Sequence, residues 1–387
     1  MKILVFNTLY YPNRRGGAER SVQLICENMA AKGHTVEVVS IWDEMSPQLE
    51  IHNEVKCIKW KSYNIYSVHN YGIKKPRWLS KVIWQILDLF NFAILFKAYF
   101  YIRKTKPDVI WCNNLSGFSI SVWVASKLLD VRVVHTFRDY YLLSNNVMLY
   151  KCGPVKPGEN IISRAKLFIF KFLSPCVDTF IGISDSISAK HKVYIDNHNV
   201  YTVFNSEDYR NDEYESEHVR RKKTYLTYGY LGQINEAKGV SQLIENFLSF
   251  SKKSRLLIAG KDEEDISSKF KNNERIEFIG FVDKKCFFEK IDCLLVPSLW
   301  EEPFGRVVIE ALCMKTPVVV SGNGGLSELS DLFASVSKHD FIKEYDYDKT
   351  NIVFDEGDID IIVNNFSVDK IASEYIGFMD PTLIVEK

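Results

Sequence analysis

The chain has 387 residues, with 49 Lys+Arg against 49 Asp+Glu, so its formal net charge is zero. That balance argues against a nucleic-acid binder, which carries a basic excess, and the 46% hydrophobic fraction excludes wholesale disorder. The sum conceals a split: residues 1–200 hold 26 Lys+Arg and 15 Asp+Glu, a balance of +11, and residues 201–387 a balance of −11. Such asymmetry points to two domains with different surroundings.

Strand-forming and helical runs alternate from the first residues. Lys2–Asn7 reads as a strand, Gly16-Gly17 as a loop, and Ala18–Ala31 as a helix with Val22, Ile25 and Met29 on one face. Thr35–Ser40 and Val55–Trp60 are strands, followed by a long aromatic helical stretch over about 77–104. Strands at 108–112, 132–137, 178–183 and 201–204 complete the first half, with a helix at 116–129. Residues 205–223 turn polar and charged and read as a linker. Strands restart at 225–231 and continue at 256–259, 275–279, 292–296 and 317–320, with helices between. Residues 332–365 read as an irregular acidic tail with short strands, and 366–378 as a helix. The fold class is therefore α/β, with two doubly wound, Rossmann-like parallel-sheet domains facing a cleft. The expected division is 1–204, a linker at 205–223, a second domain at 224–365, and a C-terminal helix and tail at 366–387 that could return to the first domain.

The Met1–Val5 start lacks a long apolar core and a cleavage site, so it does not read as a signal peptide. No uninterrupted run of about 18 apolar residues exists, so no membrane-spanning helix is expected; Val82–Phe96 is broken by Gln85, Asp88 and Asn91. Eight cysteines without C-x2-C spacing read as reduced thiols of a cytoplasmic protein, with no zinc site or disulfide framework.

The richest string is Pro297-Ser298-Leu299-Trp300-Glu301-Glu302-Pro303-Phe304-Gly305-Arg306, continuing to Glu310-Ala311. It follows a buried strand, and Gly305 opens a helix whose free N–H groups suit an anion. Glu302 precedes that helix and Glu310 lies about one and a half turns inside it. A carboxylate accepts two hydroxyl protons at once, which suits the vicinal diol of a sugar or ribose. The plainer alternative makes Glu302 a helix cap and Glu310 a solvated residue.

Glu-Pro-Phe-Gly…Glu-Ala resembles the signature of glycosyltransferase family 4, retaining enzymes of the GT-B fold that use nucleotide-sugar donors. The resemblance spans the chain to about residue 330. Lys2–Phe6 with Gly16-Gly17-Ala18-Glu19 resembles the family's first strand and glycine loop, where Gly16 and Gly17 would approach a phosphate. Tyr230-Leu231-Gly232-Gln233…Lys238-Gly239 resembles the opening of the family's second domain, where an Arg and a Lys bind the diphosphate. Here Gln233 stands at the Arg position, so one cation is missing while Lys238 remains. Arg14, Arg15 and Arg138 of the basic half are candidates to compensate. The resemblance implies a donor set of Gly16, Gly17, Gln233, Lys238, Phe304, Gly305, Arg306 and Glu310.

At the end of the 132–137 strand, relatives carry His-Asp-Tyr-like residues facing the donor sugar. Alignment on Asp139-Tyr140 puts Arg138 at the His position, and alignment on His-Thr puts His135 there; the first register is favoured. Glu302, Arg138, Asp139 and His135 are thus the expected catalytic set. Ser184 reads first as a helix cap, and Asn205 as a residue near the donor. Gly324-Gly325…Glu328 resembles a family turn, with Glu328 outside the core site. The family needs no metal, and none is expected here: Asp346-Tyr347-Asp348 and Asp358-Ile359-Asp360 read as a solvated acidic stretch rather than a metal site. No cofactor is expected beyond the nucleotide-sugar substrate.

Residues 51–106 hold 11 Lys+Arg against Glu54 and Asp88, around a broad aromatic face. Basic ends around such a face describe an interfacial helix or a core helix with solvated lysines. The expected function is a retaining transfer of sugar to a glycan or lipid-linked acceptor in surface polysaccharide assembly. The enzyme would be cytoplasmic, on the inner face of the cell membrane, with an anionic membrane surface as a partner and no nucleic acid. The alternatives are an epimerase of nucleotide sugars with the same fold, or a non-catalytic nucleotide-sugar-binding scaffold.

Overall fold

The computed structural model describes residues 1–13, 16–42, 47–70, 77–195, 199–208, 225–270, 273–348, 353–380 and 382. Arg14, Arg15 and residues 209–224, most of the expected linker, lie outside the described residues. The chain divides into two compact units. The N-terminal unit comprises 1–147, 156–206 and 368–387; the C-terminal unit comprises 148–155 and 207–367.

In the N-terminal unit the apolar run Lys2–Phe6 forms β1, followed by α1 (Gly17–Ala31), β2 (Thr35–Ile41), β3 (Leu49–His52) and β4 (Val55–Trp60). Then come α2 (Trp78–Leu89), α3 (Phe92–Thr105), β5 (Val109–Cys112), α4 (Ser121–Lys127) and β6 (Arg132–Phe137). α5 (Ile161–Leu173), β7 (Thr179–Gly182), α6 (Asp185–Lys192) and β8 (Val200–Thr202) follow. The sheet order is β3-β4-β2-β1-β5-β6-β7-β8, parallel except for the β3–β4 hairpin. β1 from Ile3 onward and the whole of β5 are buried, as strands covered by helices on both faces must be. α1 lays Val22, Ile25 and Met29 onto that sheet, and the Ser184 side chain caps α6 by accepting from Ile187 N at 3.2 Å.

The C-terminal unit runs β9 (Thr227–Leu231), α7 (Val240–Phe250), β10 (Arg255–Ala259), α8 (Ile266–Phe270), β11 (Ile276–Gly280) and α9 (Lys284–Phe288). It continues with β12 (Cys293–Val296), α10 (Arg306–Cys313), β13 (Val318–Val320), α11 (Gly325–Leu332), β14 (Val336–Lys338) and α12 (Gly357–Phe366). Its sheet is wholly parallel, in the order β11-β10-β9-β12-β13-β14. The chain then returns to the N-terminal unit as α13 (Val368–Met379). There Tyr375 lies 4.8 Å from the Trp111 ring, and Lys32, the C-cap of α1, pairs with Asp369 at 2.9 Å.

Two expectations need correction. The stretch at 77–104 is two helices, because the backbone turns extended at Phe90 and Asn91. Polar anchoring forces the break: Asn91 Oδ1 accepts from Ile94 N to cap α3, while Asn91 Nδ2 donates to Tyr63 O. Trp78–Thr105 nonetheless has the length and composition to cross a membrane, even though its apolar run is interrupted.

The 332–365 segment is not a solvated tail. Phe341 and Tyr347 enter the second core, and the acids do structural work. Asp348 accepts from the amides of Lys252, Lys253 and Ser254, and buried Asp358 accepts from those of Ala334 and Ser335. Partial burial works to raise the Asp348 pKa, but its amide donors prevail and hold it at about 2. A carboxyl depressed in this way stabilises the fold above the unfolded value near pH ~4, and that contribution is lost as pH falls through the folded value. Asp348→Ala is therefore expected to lower unfolding free energy by about 1–3 kcal/mol at pH 7. In urea titrations the gap should narrow below pH ~4; a gap that widens there would contradict this account.

Candidate active site

In a doubly wound sheet, ligands bind at the carboxyl ends of the strands where the order of connection reverses. In the C-terminal unit that point is between β9 and β12, because β10 continues to one side of β9 and β12 lies on the other. The loops after these two strands carry Lys238 and Glu302. Lys238 Nζ donates to Glu302 Oε1 at 2.5 Å, Ser298 Oγ donates to the same oxygen at 2.6 Å, and the ammonium stands 5.0 Å from the Trp300 ring. Glu302 is buried, so its charge depends on this company.

Backbone contact fixes the pair. The amides of Leu299 and Trp300 donate to Ala237 O, locking one loop onto the other. Gly239 takes φ 72°, and a Cβ there would meet Pro297 O at 2.1 Å. Gly325 N donates to Glu302 O at 2.7 Å, so the glycine turn after β13 cradles the Glu302 backbone.

Gly305 caps α10 with φ 104° and offers no side chain to the first-turn amides. Within α10, Arg306 and Glu310 do not stand alone. Arg306 Nε donates to Glu310 Oε1 at 3.0 Å and its Nη2 pairs with Glu207 at 2.9 Å; Lys284 Nζ donates to Glu310 Oε1 at 2.6 Å. Glu310 is buried, not solvated. Phe304 is buried with its ring 6.0 Å from Phe366, so the ring serves packing. Gln233 is exposed, and its carbonyl accepts from Tyr230 OH at 2.6 Å.

In the N-terminal unit the reversal falls between β1 and β5. After β1 come Asn7 and Thr8, then Gly16 at the start of α1. Gly16 has extended backbone and its amide donates to Glu19 Oε2 at 2.9 Å; a Cβ there would find nothing nearer than 3.6 Å. Gly16 therefore leaves space rather than meeting a conformational demand. After β5 come Asn113 and Asn114. Asn113 Oδ1 accepts from Arg138 Nε at 2.7 Å, and Asn205 Oδ1 accepts from Arg138 Nη1 at 2.6 Å. Asp139 accepts from Asn114 Nδ2 and from Tyr141 N, each at 2.8 Å. Burial pushes the Asp139 carboxyl up to about 6, against the Tyr141 amide and Lys166. Asn113, Asn114, Arg138, Asp139 and Tyr141 line a crevice of about 10 Å³, room for one water.

His135 borders the same crevice, but its ring lies in an aromatic cluster, 5.0 Å from Trp123 and 5.5 Å from Phe137. Burial lowers its pKa to about 3, with His191 adding to the effect. The ring is neutral at physiological pH and donates no proton charge.

The structure thus gathers Lys238 with Glu302, Arg306 with Glu310, and Arg138 with Asp139. Sequence reasoning missed Ser298, Lys284 and Glu207 as their partners, and Asn113-Asn114 as the pair that holds the strand-end residues. Only the last had a visible signal: two amides directly after a buried strand.

Comparison with known proteins places both units in known families. Residues 15–208 match the family model described as Glycosyltransferase Family 4. It belongs to that family. Residues 211–334 match the model for glycosyl transferases group 1. The chain is 33% identical over 380 residues to an "Uncharacterized 42.6 kDa protein in cps region" of Klebsiella pneumoniae, covering 97% of this chain and 99% of the relative. It is 26% identical over 173 residues to the "Capsular polysaccharide biosynthesis glycosyltransferase CapM" of Staphylococcus aureus, covering 39% of this chain and 45% of that protein. The crystal structure of Anabaena Alr3699/HepE in complex with UDP-glucose superposes with a TM-score of 0.67 at 16% identity, over 98% of this chain and 99% of that one. The shared fold is GT-B, and this family 4 member is a glycosyltransferase.

Three variant experiments follow. Glu302→Gln, which keeps the contacts but removes the charge, is expected to lower kcat/KM by ~10²–10³-fold with little change in melting temperature. His135→Phe should leave turnover close to wild type while Arg138→Met loses it; the reverse result would assign the donor sugar to His135. Asp139 is expected to set an acid limb near pH 6, which Asp139→Asn removes from the pH profile of kcat/KM.

Proposed function

We propose that this protein transfers a sugar from a nucleotide-sugar donor to an acceptor hydroxyl on a growing surface polysaccharide or its lipid-linked precursor, with retention of anomeric configuration. The observation that carries the reading is the Lys238–Glu302 pair, held at the switch point of the C-terminal sheet beside the uncapped start of α10. The UDP-glucose bound by HepE, and the capsular role in CapM's name, support the donor and acceptor classes.

In this reading the diphosphate lies at the start of α10, where the helix N-terminus and Lys238 neutralise the charge that grows as the glycosidic bond breaks. Glu302 then turns from its lysine to accept sugar hydroxyls, and Glu310 accepts the ribose diol beside Arg306 and Lys284. The acceptor hydroxyl attacks from the face the phosphate leaves, and the departing phosphate oxygen takes its proton. No protein nucleophile is required; the residues orient the sugar and stabilise charge. Gln233 contributes a hydrogen bond and no charge, so Lys238 bears more of the electrostatic load here than where an arginine accompanies it. The reaction runs without a bound metal, in the cytoplasm at the inner face of the membrane.

A panel of UDP-, GDP- and other nucleotide sugars, read by thermal shift and by slow donor hydrolysis, tests this. One donor class is expected to stabilise the protein and release free nucleotide, undiminished by EDTA. Formation of an epimer without nucleotide release would replace the transferase by an epimerase.

A further inference from the structure

Three helices of the N-terminal unit expose large apolar side chains. On α3, Phe92, Phe96 and Phe100 recur every fourth residue and are 67%, 60% and 63% exposed; the inward stripe is Ile94, Ala98 and Ile102. On α2 the outward stripe is Leu79, Ile83, Ile86 and Leu87, behind an exposed Trp78. α5 packs against α2 and exposes Ile161, Phe168 and Phe172, the two phenylalanine rings stacked on each other. Most monomeric proteins keep such residues scattered; a concentration of this size marks an interaction surface.

The charges are one-sided. Arg77 and Lys81 flank the start of α2, Arg103 and Lys104 end α3, and Arg164 and Lys171 lie on the outer side of α5. The single acid in the three helices, Asp88, is turned inward, where it accepts from Gly117 N at 2.7 Å and Tyr141 OH at 2.6 Å. A second copy docked on this face would oppose arginines and lysines with their own kind. A surface that is apolar at its centre and negative at its edge matches it instead.

We propose that the outward face of α2, α3 and α5 docks into the headgroup–acyl boundary of an anionic bilayer, lying in the interface without crossing it. Crossing is disfavoured by the same contacts that break the stretch at Phe90–Asn91. Pulling Trp78–Thr105 into a continuous span would strip Asp88 and Asn91 of their buried partners and withdraw Ile94, Ala98 and Ile102 from the core. Seated flat, the aromatic rings occupy the interface and the cations meet lipid phosphates. The face deepens the acceptor half of the transferase reading and rests on it for its purpose, since α2 and α5 anchor through Asp88 and buried Lys166 beside Tyr141, two residues from Asp139.

Flotation with phosphatidylglycerol-containing vesicles, compared with pure phosphatidylcholine vesicles, tests the proposal. The full chain is expected to co-float with the anionic vesicles at low salt and to lose at least tenfold of that fraction on phosphatidylcholine. The double variant Phe96→Glu/Phe168→Glu, at exposed positions, should lose it equally while keeping its thermal shift with nucleotide sugar. Wild-type protein that stays unbound at low salt, or a variant that floats as well as wild type, overturns the proposal. A dimer that Phe96→Glu/Phe168→Glu disperses, without vesicle binding, would assign the face to a second copy. Vesicle binding without any nucleotide-sugar response would leave the docking face standing and defeat the transferase reading instead.

Discussion

A buried glutamate is tolerated in the C-terminal unit because a lysine from a different loop reaches it at 2.5 Å. Much of the local construction serves that meeting. Parallel strands β9 and β12 end side by side, so their following loops must share one space. Gly239 lets the first loop touch the second, and Ala237 O holds it there through two amides. The turn after β13 closes over the Glu302 backbone. Without a ligand the two charges neutralise each other, and on the proposed reading a donor brings both a phosphate for the lysine and hydroxyls for the glutamate. A phosphate alone would leave the carboxylate buried and unpaired, and a neutral sugar alone would do the same to the lysine. The pair therefore discriminates for molecules that carry both chemistries.

A second ion cluster is built around α10. Glu310 is shared by Arg306 and Lys284, and Arg306 reaches on to Glu207. Two cations against two anions give a neutral set whose members are fixed in place. Glu310 is thus oriented before any ligand arrives, which lowers the ordering that binding requires.

The sequence made the alternation of strands and helices legible because buried parallel strands are short apolar runs that punctuation by glycine and charge sets apart. The Glu302-to-Glu310 string was legible for the same reason, as a loop and helix start following such a strand. What stayed hidden was pairing across distance. Nothing near Glu310 in the chain announces Lys284 or Glu207, and nothing near Lys252 announces Asp348. The acidic segment after residue 332 looked solvated because its acids accept from backbone amides, which carry no residue signature. The break at Phe90–Asn91 was obscured because an asparagine cap inside an apolar stretch resembles a mere interruption. The registers of His135 and Arg138 differ by three residues, and only the alternation of strand faces sends one into an aromatic cluster and the other to Asn113 and Asn205.

The path of the chain carries a temporal consequence. α13 supplies Ile371, Ala372, Tyr375 and Met379 to the core laid down by β1, α1 and β5. During synthesis those first elements emerge hundreds of residues before the helix that completes them. The N-terminal unit must wait, with the floor around Trp111 uncovered, while the whole C-terminal unit is made and folds as its own body. Cutting the gene at the charge boundary would therefore leave both halves short, the first without α13 and the second without residues 148–155. The half that appears first on the ribosome is the last to become native.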